Sequence, residues 1–205
     1  MAVLPLRRLV LASGSRTRRD MLSAAGLSFE AIPAEVDEAA IRDSLLQDDE
    51  AIDPADVAEV LARAKAEAVS ARHRGAVVIG ADQILACDGE LFSKPGHPAG
   101  ARDTLLRLRG RTHQLHTAVV LAEAGDIEWS TTETAHLRMR DFSPAFVERY
   151  LAAAGERVCE SVGAYQLEGA GIQLFDSIDG DYFTILGLPL LALLRELRAR
   201  RLIAT

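Results

Sequence analysis

Apolar positions along this chain fall into short runs broken by glycine, proline and charge, and two periodicities alternate. Residues 9–12 are apolar and predict a short strand, followed by Ser13-Gly14-Ser15 and a helix over 17–25 that Gly26 stops. Residues 29–33 form a second extended piece. Asp53 before Pro54 reads as a helix cap and first turn. Val57, Val60, Leu61, Ala64 and Ala68 then recur at helical spacing, taking that helix to about Arg72. Residues 75–85 predict a central strand, with a turn at Asp88-Gly89 and a helix over 98–108 closed by Gly110. Two β-type runs, 114–123 and 127–138, flank Ala124-Gly125-Asp126 and predict a long hairpin. Ser143-Pro144 starts a helix ending at Gly155, and a glycine-rich stretch covers 163–187. Leu188-Pro189 opens the last helix, with Leu190, Leu191, Leu194 and Leu197 as its apolar stripe. Helices interleaved with strands, plus one antiparallel hairpin, predict an α/β protein with a mixed β-sheet.

The run Val77-Val78-Ile79-Gly80-Ala81-Asp82-Gln83 changes that picture most, because it sets a carboxylate in a strand with apolar residues for both faces. Such a group loses hydration and needs a cation, a metal or a hydrogen-bonding partner, and costly positions of this kind are often functional. The alternative is a strand that ends at Gly80, with Asp82 capping a turn.

At 205 residues, 49% hydrophobic and 26% charged, the chain fits one domain, or one domain with two lobes around a cleft. No apolar run has the length of a membrane span and residues 9–12 are too short for a signal-peptide core, so a cytoplasmic protein with no membrane partner is expected. Cys87 and Cys159 lack metal-ligand spacing and read as reduced, half-buried thiols. The net charge of −7 argues against nucleic-acid polymers as partners. Charge is uneven: Arg7, Arg8, Arg16, Arg18 and Arg19 crowd one end. Glu35, Asp37, Glu38, Asp43, Asp48, Asp49, Glu50, Asp53, Asp56 and Glu59 follow in an acidic stretch that otherwise reads as solvated surface. A basic pocket in an acidic protein suits a small anion.

Three places carry candidate chemistry. The turn Ser13-Gly14-Ser15 with Arg18 offers backbone and hydroxyl donors at a helix start, plus a guanidinium fork, for phosphate; a capped helix with a solvated basic edge is the alternative. It is neither a P-loop nor a nucleophile elbow. Glu35, Asp37 and Glu38 could hold a hard divalent cation with phosphates completing its shell, or lie on the surface. Lys94, before Pro95, and Lys65, on an alanine-rich helix, are the only lysines, each either reaching an anion or solvated. The histidines His73, His97, His113, His116 and His136 show no metal-ligand spacing. His113 and His116, an odd number apart in a strand, read as structural or surface residues on opposite sides.

Taken together, Leu11-Ala12-Ser13-Gly14-Ser15 with Arg18 and Leu22, Phe29, Val36-Asp37-Glu38, and Ala64-Lys65-Ala66 form an ordered set. It continues with Ile79-Gly80-Ala81-Asp82, Lys94-Pro95, Leu108-Arg109-Gly110-Arg111-Thr112-His113, Gly163-Ala164-Tyr165, Glu168-Gly169 and Gly187-Leu188-Pro189-Leu190. In order and spacing the set resembles the Maf family of nucleoside triphosphate pyrophosphatases across nearly the whole chain. The resemblance implies one domain over residues 1–205, with an elongated mixed sheet flanked by helices in two lobes around a central cleft. It implies cleavage of a nucleoside triphosphate to monophosphate and pyrophosphate with Mg²⁺ or Mn²⁺, a house-cleaning role, and a homodimer. Asp82 matches the family's proton acceptor; Glu38, with Asp82, would hold the metal; Ser13, Arg18, Lys65 and Lys94 would bind the triphosphate.

Thr17, Gln83 and Glu168 match the family's specificity positions. Members acting on dTTP and UTP usually carry Arg, Thr and Gln there. The branch resembling 7-methyl-GTP pyrophosphatase has a glutamine after the aspartate and a glutamate before the later glycine, as in Asp82-Gln83 and Glu168-Gly169. A carboxylate accepts from guanine N1–H and N2–H₂ together and favours a methylated, cationic purine. The departures are Thr17, where that branch carries a large aromatic, and Arg16 in place of the usual proline. The alternatives are a dTTP/UTP pyrophosphatase, a phosphomonoesterase, and a non-catalytic nucleotide-binding regulator of division or septum formation.

Overall fold

A computed structural model describes residues 7–47 and 52–204. Asp48, Asp49 and Glu50 of the acidic stretch lie outside the described residues. The chain divides into two compact units: unit 1 holds residues up to Gln83, Thr117–Glu133, and from Gly187 onward; unit 2 holds Ile84–His116 and Thr134–Leu186.

In unit 1, β1 (Arg8–Leu11) feeds α1 (Arg16–Ala24), and β2 (Glu30–Ala31) returns parallel to β1. Ser15 caps α1 by accepting from the Arg18 amide at 3.3 Å. A helix that periodicity does not predict follows, α2 (Glu38–Leu46), capped by Asp37, which accepts from the Ala40 amide at 3.0 Å. Then comes α3 (Pro54–Ser70), capped by Asp53 as expected. The central strand β3 (Ala76–Cys87) pairs parallel with β1 and is buried at every position except Gln83, which is half-buried. It is continuous through Asp82, so Asp82 is a strand residue and caps no turn.

Close approach of α3 to β3 depends on Gly80. A Cβ there would sit 2.4 Å from the Ala62 carbonyl oxygen and 2.7 Å from the Ala66 Cβ. Two small residues on the helix and a glycine on the strand let the backbones meet. That contact sets Lys65 of α3 beside Asp82 of β3. Val10, Ala12, Val69, Ala76 and Val78 pack in the apolar layer of this unit.

The last helix, α7 (Leu190–Ala199), buries Leu190, Ala192, Leu193 and Leu197, while Leu194 is half-buried and Leu191 is 61% exposed. The stripe therefore runs through Leu193 rather than Leu191. Positions i, i+3, i+4 and i+7 share a helix face, and Leu191 lies a quarter turn and more away.

In unit 2, β3 turns at Asp88-Gly89 into β4 (Glu90–Phe92), pairing antiparallel with it, an added strand the sequence pattern does not predict. α4 (Pro98–Leu108) is capped by His97, and α5 (Pro144–Ala154) by Ser143. The predicted hairpin is β5 (Thr112–Glu123) and β6 (Asp126–Met139), neighbours in the sheet and drawn on by both units. The glycine-rich stretch resolves into two 3₁₀ turns, Glu156–Glu160 and Ala170–Leu174, then β7 (Phe175–Asp179) antiparallel to β6, and a short α6 (Tyr182–Ile185). Strand order is β2-β1-β3-β5-β6-β7, with β4 on β3, so the sheet is mixed as expected.

The core of unit 2 includes Leu85, Leu105, Leu108, Leu115, Leu137, Met139, Tyr150 and Tyr165. Cys87 and Cys159 belong to it and are buried rather than half-buried; neither forms a disulfide. Among the described residues no helix is long and apolar enough to cross a membrane.

Candidate active site

Unit 1 draws five of the expected residues into one hydrogen-bonded, ion-paired set. At its centre Lys65 Nζ meets Asp82 Oδ1 at 2.5 Å and Glu38 Oε1 at 2.9 Å. Lys65 and Asp82 are 8% and 7% exposed, whereas the Glu38 side chain is 45% exposed. The cation that a buried Asp82 requires is therefore Lys65. Lys65 faces inward, and its ammonium bridges two carboxylates.

Arg18 holds the other side. Its Nε donates to the Gly187 carbonyl at 2.7 Å, and its Nη1 donates to the Ala81 carbonyl at 2.8 Å and to Ser13 Oγ at 3.3 Å. The bond to Ala81 fixes the peptide preceding Asp82, so Arg18 braces the strand that carries the carboxylate. Burial pulls the Arg18 pKa below its ordinary value, and the charges of Asp82 and Glu38 oppose that pull. Ser13 Oγ also accepts from the Ser15 amide at 3.2 Å, which ties the turn before α1 to the same set.

The three residues Glu35, Asp37 and Glu38, read together as an acidic cluster, separate in the structure. Glu35 pairs with Arg72 at the surface, Asp37 caps α2, and Glu38 alone reaches Lys65. Glu38 sits on the first turn of α2, where the helix dipole favours a carboxylate.

Gln83 follows Asp82 on β3, and its Nε2 donates to Thr117 Oγ1 of β5 at 2.9 Å. Thr17 is half-buried in the first turn of α1. Lys94 and Glu168 belong to unit 2, where both are exposed, Lys94 after β4 and Glu168 in a turn before the second 3₁₀ segment. Sequence reasoning did not single out Thr117 or the Gly187 carbonyl. Gly187 stood in the Gly-Leu-Pro-Leu motif, but nothing in that motif indicates that its oxygen takes an arginine N–H.

Two carboxylates converging on one ammonium fit a hard divalent cation of the kind that uses one or two carboxylates and completes its shell with phosphate oxygens. Among the described residues no third His, Cys, Asp or Glu joins them, so they form no all-protein cage.

His113 and His116 lie apart from this set. Both are buried in β5, so neither is a surface residue. His113 Nε2 bonds the Tyr165 hydroxyl at 2.8 Å while its buried Nδ1 has no partner, and burial pushes its pKa down to about 4. His116 bonds Thr134 and Gln114.

Residues 8–200 match the family model described as Maf-like protein. A 7-methyl-GTP pyrophosphatase of Mesorhizobium japonicum is 53% identical over 191 residues, covering 93% of this chain and 95% of that protein. A nucleoside triphosphate pyrophosphatase of Paramagnetospirillum magneticum is 56% identical over 189 residues, covering 92% and 96%. A 7-methyl-GTP pyrophosphatase of Brucella abortus is 49% identical over 196 residues, covering 96% and 98%.

Proposed function

This chain belongs to the Maf family, and from that premise we propose that it is a house-cleaning nucleoside triphosphate pyrophosphatase whose preferred substrate is 7-methyl-GTP or a related purine nucleotide. The observation that carries the reading is the buried Asp82, held between the Lys65 ammonium and a strand braced by Arg18, with Gln83 as its neighbour. The names of two of the relatives support the purine preference.

Asp82 accepts the proton of a water that attacks the α-phosphorus, and the α–β bridging oxygen leaves with pyrophosphate. Glu38 with Asp82 would hold a divalent cation, Mg²⁺ or Mn²⁺, which would supply charge neutralisation on the triphosphate. Lys65 lies within reach of both carboxylates and offsets their charge as the anionic substrate enters. Arg18 and Ser13 shape the anion-binding turn before α1. Arg18 already gives three hydrogen bonds to the protein, so its contribution to phosphate includes holding that turn rigid. Lys94 as a further phosphate contact, and Glu168 and Thr17 as base-recognition residues, rest on the family resemblance.

In the same reading, residues 1–205 work as one functional domain on small nucleotides in the cytoplasm, and the chain self-associates as a homodimer. Light scattering on the purified protein tests the last point.

The decisive experiment is Asp82→Asn. Pyrophosphate release with Mg²⁺ or Mn²⁺ should fall by about a thousandfold while nucleotide binding stays measurable; near-normal turnover would overturn the assignment. A panel of 7-methyl-GTP, GTP, dTTP and UTP at fixed metal tests the base preference. Thr17 fits neither branch, being too small to stack on a cationic purine and not the arginine of the dTTP/UTP members, and equal or better turnover of the pyrimidines would favour the competing dTTP/UTP reading.

A further inference from the structure

Thr117 is the polar member of a buried stretch of β5 that continues as Ala118, Val119, Val120 and Leu121, and it is fully buried. A hydroxyl in that setting is costly unless bonded. One bond it makes is to Gln83, the half-buried residue after Asp82 on the neighbouring strand.

The other end of the Gln83 amide faces Gly187. Gln83 Oε1 lies 3.9 Å from the point a Cβ would take at Gly187, and Arg18 Nε and Nη2 lie 3.6 and 3.7 Å from the same point. Gly187 has φ of +104°, a conformation that excludes most side chains and keeps that point empty. Gln83 Oε1 and the Arg18 guanidinium thus border the same point, and an amide oxygen is favoured over an NH₂ on the side that faces a cation, which leaves the NH₂ for the Thr117 hydroxyl.

We infer that Thr117 is a specificity-positioning residue: by accepting from Gln83 Nε2, with Arg18 on the opposite side, it fixes which end of the Gln83 amide a nucleobase meets. The inference rests on the reading of Gln83 as a base-recognition residue. The chemistry turns on donor and acceptor order. A guanine edge offers one acceptor and two donors, and a uracil edge offers acceptor, donor, acceptor. An amide locked in one orientation distinguishes those edges. An amide free to flip presents either end and distinguishes them less.

The test is the ratio of kcat/KM for 7-methyl-GTP to that for UTP, measured with both nucleotides competing in one tube. This ratio does not depend on how much enzyme is folded. Thr117→Val keeps the shape and removes the hydroxyl, and the ratio should fall about tenfold, the effect of one buried hydrogen bond. Thr117→Ser keeps the hydroxyl and should restore the ratio to near the parent value. Gln83→Ala should lower the ratio at least as far, and adding Thr117→Val to it should lower it no further.

An unchanged ratio in Thr117→Val with a fallen ratio in Gln83→Ala would overturn the role of Thr117 and leave that of Gln83. Unchanged ratios in both would overturn both. Equal loss in the valine and serine variants would also overturn the inference, because packing rather than the hydroxyl would then be responsible. So would a further loss in the double variant, because Thr117 would then act by a route other than Gln83.

Discussion

Unit 1 buries charge and unit 2 buries neutral polar rings. In unit 1, Arg18, Lys65 and Asp82 are all at most 9% exposed, and each is bonded to another member of the set or to backbone of the same strand. In unit 2, His113 and Tyr165 face each other at 2.8 Å with a His113 nitrogen left unpaired, and Phe175 packs edge-on against Tyr165. Charges kept ionised under burial need close partners and bring electrostatic work to the place where they converge. A neutral histidine held by one hydroxyl does no such work and serves packing. The contrast separates residues that stabilise the fold from residues the fold is built to present.

Removing a member of the charged set should have the largest effect. Lys65→Met leaves Asp82 buried with only the more distant Arg18 charge to offset it. Stability should fall by about 3 kcal/mol in urea unfolding. Turnover should fall at least about a hundredfold, measured as pyrophosphate release. A Met variant with parental stability would mean that Asp82 needs no cation, and the contrast between the two units would collapse.

The neutral site should respond to acid instead. His113 prefers the uncharged form in the fold, with a pKa of about 4 against 6.5 for an unperturbed imidazole. The unfolded chain therefore binds a proton below pH 6.5 that the folded chain refuses until about pH 4. The stabilisation is complete above the higher value and is lost as pH falls through this window. Between pH 7.5 and 5 the loss should be about 2 kcal/mol. His113→Leu should flatten that dependence, and an unchanged slope in the variant would place the acid sensitivity elsewhere.

These two sites were unequally legible in the sequence. Asp82 stood out because a carboxylate interrupts an apolar strand, and period and capping signals placed β3, α3, the hairpin and α5 within a few residues. Lys65 shares a helix face with Val57, Leu61 and Val69, which marks it as inward-facing, but its approach to Asp82 could not be read from that spacing. That approach follows from Gly80 meeting Ala62 and Ala66, a contact between segments distant in the chain. The same limit hid Thr117 and the burial of His113, since alternation along a strand does not say which face is covered. α2 carries no apolar stripe to read, because no residue of that helix is buried, and its Asp37 cap is visible only in the structure. In the leucine-rich last helix Leu191 and Leu193 lie on opposite sides, and composition alone does not set which side faces the core.

The smallest expected effect is at Glu35, three residues from Glu38 and chemically its near equal. Glu35 pairs with Arg72 at 3.1 Å, but their side chains are 81% and 62% exposed, so solvent screens the attraction. Glu35→Ala should change stability by less than about 0.5 kcal/mol and leave pyrophosphate release at the parental rate. Glu38→Gln should also be mild for stability, because Glu38 is nearly half exposed, yet it should lower turnover and raise the Mg²⁺ concentration needed for half-maximal rate. The pair of variants asks whether sequence proximity or convergence on Lys65 decides which carboxylate matters. If Glu35→Ala lowered turnover as much as Glu38→Gln, the acidic segment would act as a diffuse field. A split between them would assign the effect to the one carboxylate that Lys65 touches.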